Sequence, residues 1–188
     1  MENHITAYSE RLRSALDQEA MLRVPELGSA LRQAWKAGRA VYLCGNGGSA
    51  ANAAHWANDL IYGAGLQAGV GLRAESLSAN PAVLTCLGND LGYEDIFAQQ
   101  LRVKGQAGDV LIVLSGSGNS PNIVKALEVG NALGLVTCAI LGYSGGQCKA
   151  LAQVPLHFAI DDMQIAEDLQ LIVGHICTQW LYQVLGEE

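Results

Sequence analysis

The sequence has no run of lysine or arginine and few charges of any kind. Only 15% of its residues are charged, and 11 basic side chains against 18 acidic ones leave a net charge of −7. Grip on nucleic-acid phosphates needs a basic face, so this balance argues against that class of partner. An apolar run long enough to span a bilayer is also missing, so no membrane helix is expected. The five cysteines (Cys44, Cys86, Cys138, Cys148, Cys177) show no CxxC spacing and are odd in number. Most fall in apolar stretches and read as small core hydrophobes in a reducing compartment, neither a disulfide framework nor a cysteine metal cage. The start, Met1-Glu2-Asn3-His4, is too polar for a secretory leader, and the expected location is the cytoplasm. Repeats, low-complexity tracts and linkers are absent, so a single domain over residues 1–188 is expected. A chain of this length buries roughly 70% of its unfolded surface and needs no covalent staples. Half the residues are hydrophobic, which together with the low charge implies further burial in an oligomer.

What is present is an alternation. Residues 4–20 and 25–37 carry apolar positions at helical spacing (Ile5, Leu12, Leu16; Leu27, Leu31, Trp35). Short apolar strands follow at 41–44, 72–77, 109–114, 135–141 and 154–160. Helical patterns lie between and after them at 49–63, 81–88, 93–104, 120–133 and 162–185, with a turn expected at Gly88-Asn89-Asp90. Strands that alternate with helices and are apolar throughout predict an α/β fold: a parallel sheet covered by helices on both faces, in three layers. Such sheets bind ligands beyond the strand C-terminal ends. Three Gly/Ser loops, at 45–49, 115–120 and 142–146, each follow a strand and should converge on that edge.

The loop Ser115-Gly116-Ser117-Gly118-Asn119-Ser120 joins a strand to a helix N-terminus. Free N–H groups and the helix dipole favour an anion there, and the hydroxyls add donors. With no lysine and no Walker pattern, a phosphate monoester on a small molecule fits better than a nucleoside triphosphate; the alternative is a plain turn with Ser120 as N-cap. Gly45-Asn46-Gly47-Gly48-Ser49 offers a tight turn with polar side chains, but not the GxGxxG spacing of a dinucleotide site. His55 and Asp59 stand four apart on one helix, either metal-ligand spacing or a surface ion pair. Glu167 and His175 project to broadly the same side of a largely apolar final helix, where a core histidine is the other reading. His4 and His157 carry no comparable context.

These motifs, in this order, resemble the SIS family of phosphosugar isomerases and phosphosugar-binding domains. The likeness runs over about residues 5–185 and within the family is to the phosphoheptose isomerases. It is carried by Cys44-Gly45-Asn46-Gly47-Gly48-Ser49, by Gly88-Asn89-Asp90-Leu91-Gly92-Tyr93 and by the 115–120 loop. The resemblance implies a five-stranded sheet in flavodoxin-like order, and N-terminal helices (residues 1–37) that assemble a homotetramer. It implies one zinc ion per subunit, held by His55, Asp59, Glu167 and His175, and phosphate binding by Ser115, Gly116, Ser117 and Ser120. Sugar contacts would come from Asn46, Gly47, Gly48, Ser49, Asn89, Asp90 and Glu167. The implied reaction interconverts a ketose and an aldose phosphate, sedoheptulose 7-phosphate and D-glycero-D-manno-heptose 7-phosphate, through an enediol, in heptose supply for surface polysaccharide. Asp59 is the expected base and His175 the acid. Three positions depart from the family: Asp59 where glutamate is usual, Glu167 where glutamine is usual, and Gln170 where a histidine is common. An isomerase for another sugar phosphate, or a non-catalytic relative that binds a phosphosugar or a replication initiator, are the alternative functions.

Overall fold

A computed structural model describes residues 1–66 and 68–186. The chain runs α1 (Glu2–Leu16), α2 (Val24–Lys36), β1 (Ala40–Gly45), α3 (Gly48–Asn58), β2 (Arg73–Ser76), α4 (Pro81–Asp90), α5 (Ala98–Lys104), β3 (Val110–Ser115), α6 (Pro121–Ala132), β4 (Val136–Leu141), α7 (Gly146–Leu151), β5 (Val154–His157) and α8 (Met163–Gly186). The strands form one parallel sheet in the order β2-β1-β3-β4-β5, the expected flavodoxin-like arrangement. In register, Val41 lies beside Val110, and Val110 beside Val136.

Successive side chains on a strand face opposite sides, and the two faces of this sheet bury separate cores. Val41, Leu43, Val110, Ile112, Cys138 and Ile140 face α2, α3 and α8. Tyr42, Cys44, Leu111, Val113, Ala139 and Leu141 face α5, α6 and α7. The N-terminal helices divide in role. Leu27 and Leu31 put α2 into the first core, while α1 buries Ala15 and leaves Ile5 exposed. A hydrogen bond of 2.5 Å from the Tyr8 phenol to Asp168 ties α1 to α8. Desolvation first, then that carboxylate, pushes the phenol pKa up to about 12. Four of the five cysteines are buried, and burial raises the thiols of Cys138, Cys148 and Cys177 to about 12.

Several boundaries differ from the sequence reading. The turn expected at 88–90 is the last turn of α4, because Asn80 caps the helix start by accepting from the N–H groups of Ala82 and Val83. The chain turns instead at Gly92, at φ 103°. Residues 146–151, where no helix was expected after the 142–146 loop, form α7. The final strand stops at His157, whose ring meets the Tyr143 carbonyl at 2.9 Å. The helix expected over 49–63 widens into a π-helical turn at Asp59–Gly63, a distortion common at functional sites.

One contact sets the distance between α3 and α8. A Cβ on Gly174 would lie 2.9 Å from Cδ2 of Trp56, so the helix backbone rests directly on the indole face. Trp56 is 1% exposed and has no space to retreat. Gly174→Ala should therefore destabilise the protein by about 1–3 kcal/mol, lowering the melting temperature by about 2–4 °C per kcal/mol. An unchanged melting temperature in a thermal scan would remove this contact as the spacer.

Candidate active site

The adjacent residues of that contact are His55 and His175. Close approach of Trp56 and Gly174 brings the two imidazoles to 3.0 Å between Nε2 atoms, with the rings edge-to-face at 79°. Asp59 Oδ2 stands 3.5 Å from the first and 3.7 Å from the second. The ligand atoms of the three residues all lie within 4.8 Å of one another. The spacing i, i+4 placed His55 and Asp59 on one face, as expected, and α8 supplies the third group. Such a cluster can do two things: pass a proton between imidazoles beside a carboxylate, or hold a cation. Ligand atoms about 2.0–2.2 Å from a tetrahedral zinc are about 3.3–3.6 Å apart, close to the three edges observed. About half of each histidine side chain is exposed in the single chain (49% and 47%).

Glu167, the fourth expected ligand, stands apart from this group. Its carboxylate lies over Gly48 at the start of α3, where an added Cβ would be 2.5 Å from the Glu167 Cδ. The reason is axial distance: eight residues along a helix rise about 12 Å, so two groups on one side of α8 serve two neighbouring places. Gly47 and Gly48, expected from the sequence as sugar contacts, are exposed there. Ser49 is not; it is 4% exposed and its hydroxyl oxygen accepts from Gln170 Nε2 at 3.0 Å. Gln170 in turn accepts from Asn52, which also donates to the Glu167 carbonyl. Gln170 thus joins α3 to α8. Asn89 and Asp90 are exposed at the end of α4, bonded to each other at 2.7 Å.

In the second loop the internal bonds leave donors available. Ser115 Oγ accepts from Gly118 N at 3.1 Å and Ser117 Oγ from Asn119 N at 3.3 Å. Each hydroxyl spends acceptor capacity in these bonds and still carries a hydrogen to donate. Ser120 sits at the N-cap of α6, but its side chain makes no capping bond. The third Gly/Ser loop reaches the same edge and acts as a buttress. Gly142 N donates to Gly116 O, Cys148 N to Gly118 O, and Gln147 N to Asn119 Oδ1. Sequence reasoning missed Asn122, which pairs with Asn46. An asparagine beside Ile123 and Val124 on a buried helix face was the signal available.

A parallel doubly wound sheet covered by helices on both faces, with an imidazole–carboxylate cluster between α3 and α8, defines a flavodoxin-like α/β scaffold. The chain belongs to the SIS domain family, whose profile matches residues 4–142. It is 34% identical over 185 residues to the phosphoheptose isomerase of Trichlorobacter lovleyi, covering 98% of this chain and 91% of that one. Identity to the Clostridium acetobutylicum phosphoheptose isomerase is 37% over 173 residues, 92% and 88% of the two chains. The solved phosphoheptose isomerase of Neisseria gonorrhoeae superposes with a TM-score of 0.86 at 27% identity, covering 96% of this chain and 97% of its own. These likenesses make the chain an isomerase-class enzyme. Among the described residues no helix is long and apolar enough to cross a membrane.

Proposed function

We propose that the protein interconverts a ketose phosphate and an aldose phosphate, with sedoheptulose 7-phosphate and D-glycero-D-manno-heptose 7-phosphate as the pair. The observation that supports the reading is the clustering of His55, Asp59 and His175 between α3 and α8, in a chain whose 115–120 loop has serine hydroxyls that accept bonds within the loop. The 115–120 loop would hold the phosphate, and Asn46, Gly47, Gly48, Asn89, Asp90 and Glu167 would face the sugar. Asp59 takes a proton from the carbon beside the carbonyl while His175 gives one to the carbonyl oxygen, leaving an enediol. Returning a proton to the former carbonyl carbon and releasing one from the other oxygen completes the exchange, with no oxidant or reductant. A base and an acid with pKa values near the working pH suit both steps.

The donor set fits zinc: two imidazoles and a carboxylate are the ligand types it favours, and three protein ligands leave a position open. When bound, zinc would stabilise negative charge on the sugar oxygens. Isomerisation followed by NMR in deuterated water should place deuterium at the carbon that gains the proton. Chelation should remove the activity and zinc should restore it. Wild-type turnover insensitive to both treatments would leave the cluster as an acid–base pair alone, and no turnover would reject the isomerase reading.

We further propose that the protein is a homotetramer. Ile61, Tyr62 and Leu66 beyond α3 and Ile176 and Trp180 on α8 are large apolar side chains left exposed in the single chain, and exposed apolar patches mark interfaces. Light scattering should report four copies; a monomer would overturn the assembly.

A further inference from the structure

Asn46, at the first sugar loop, makes an unusually complete set of contacts. Its Nδ2 donates to Asn122 Oδ1 at 2.9 Å, and Asn122 Nδ2 donates back to Asn46 Oδ1 at 2.8 Å. The Tyr93 hydroxyl donates to the same Asn46 Oδ1 at 3.1 Å. An amide oxygen has two lone pairs and an amide nitrogen two hydrogens. Both lone pairs of Asn46 are therefore taken, and one hydrogen is left. The three residues line one cavity of about 390 Å³ together with Glu94, Ser120 and Pro121.

We infer that Asn122 and Tyr93 are positioning residues that lock the Asn46 amide as a donor, so that this corner of the site selects an oxygen acceptor on the ligand. The inference rests on the reading of Asn46 as a sugar contact. Asn122 is suited to the task because it is 1% exposed in the first turn of α6, only two residues past Ser120. A buried amide left unpaired is penalised, so the reciprocal pair resists rotation of either partner. Tyr93 closes the remaining lone pair from a different segment, after α4. With the oxygen saturated, Asn46 offers a sugar hydroxyl no acceptor, only an N–H. A carbonyl oxygen or the lone pair of a hydroxyl near the Ser120 end of the ligand answers it.

The test is a double-mutant cycle read by turnover and by calorimetric binding of sedoheptulose 7-phosphate. Tyr93→Phe should raise KM and the dissociation constant about three- to tenfold, with kcat changed less. In an Asn46→Ala background the same substitution should change neither by more than about twofold, since its target is gone. Affinity for inorganic phosphate should be unmoved by Tyr93→Phe. Equal losses in both backgrounds, or a matching loss of phosphate affinity, would overturn the inference in favour of direct contact or general support of the loop. A ligand-free measurement separates this from the isomerase reading. The two side-chain amide protons of Asn46, assigned by their loss in Asn46→Ala, should show well-separated NMR shifts in the wild type. Tyr93→Phe and Asn122→Asp should move them. Unmoved shifts overturn the positioning role whatever sugar the enzyme accepts. Asn122→Asp keeps the acceptor and loses the donor, so a melting curve on it shows whether the fold survives.

Discussion

Turnover of His175→Gln and of Asp59→Asn is expected to fall by about 10²–10⁴-fold each, the usual worth of a positioned acid or base. Both substitutions keep volume and polarity while removing the titrating group. His175 lies 3.0 Å from His55 and 3.7 Å from Asp59, so each change strikes a cluster whose members share one proton or one cation. Losses within such a unit do not add: the double variant should be about as slow as the worse single one. Phosphosugar affinity should stay within about twofold, because Ser115, Ser117 and Ser120 belong to another loop and distant sites act independently. Metal content read beside turnover separates the two roles of Asp59. A variant that still binds zinc and does not turn over has lost its base; one that binds none has lost a ligand. Near-wild-type turnover in both variants would reject the assignment of acid and base.

The parts of this site that were legible in the sequence are those encoded by local spacing. His55 and Asp59 are four apart, so any α-helix puts them together. The Gly/Ser loops follow apolar strands, so a parallel sheet must bring them to one edge. What escaped is set by packing between distant segments. That His175 meets His55 depends on α8 resting on Trp56 at Gly174, a contact across more than a hundred residues. Glu167 shares a helix side with His175 and still lands over Gly48, because angular position carries no information on axial reach. The Gly88-Asn89-Asp90 triplet reads as a turn by composition, yet the Asn80 cap and Pro81 start a helix that runs through it. Asn122 stood out only as an asparagine on an apolar helix face, and its partner, Asn46, could not be read because it is seventy-six residues earlier. Composition also hid the third loop's role: glycines at 142 and 145–146 look like a ligand loop and serve as a brace.

That brace makes Gly118 the most sensitive position in the 115–120 loop proposed to hold the phosphate, and Gly118→Ala carries the second large expected effect. Gly118 has φ +66°, and a Cβ there would collide with the Gly145 carbonyl, lying 2.5 Å from its carbon and 3.1 Å from Gly146 N. Left-handed backbone alone costs alanine about 1–2 kcal/mol, and overpacking adds about 1–3 kcal/mol. Both obstacles are backbone, and Cys148 N already holds Gly118 O at 3.0 Å, so neither loop can yield without moving the other. A destabilisation of about 2–5 kcal/mol is expected, with phosphosugar affinity down by about a hundredfold, since a shift near 1 Å is enough to misalign a site to that degree. Gly116 is the control two residues away. Its Cβ would meet Met163 Sδ at 2.7 Å and Cε at 3.1 Å, the flexible end of a side chain that repacks easily. Gly116→Ala should cost less than about 1.5 kcal/mol and should bind phosphosugar about as well as the wild type. Calorimetric titration and thermal melting of the two variants decide the matter. Gly118→Ala as stable and as tight as Gly116→Ala would mean that the 142–146 loop does not brace the phosphate loop.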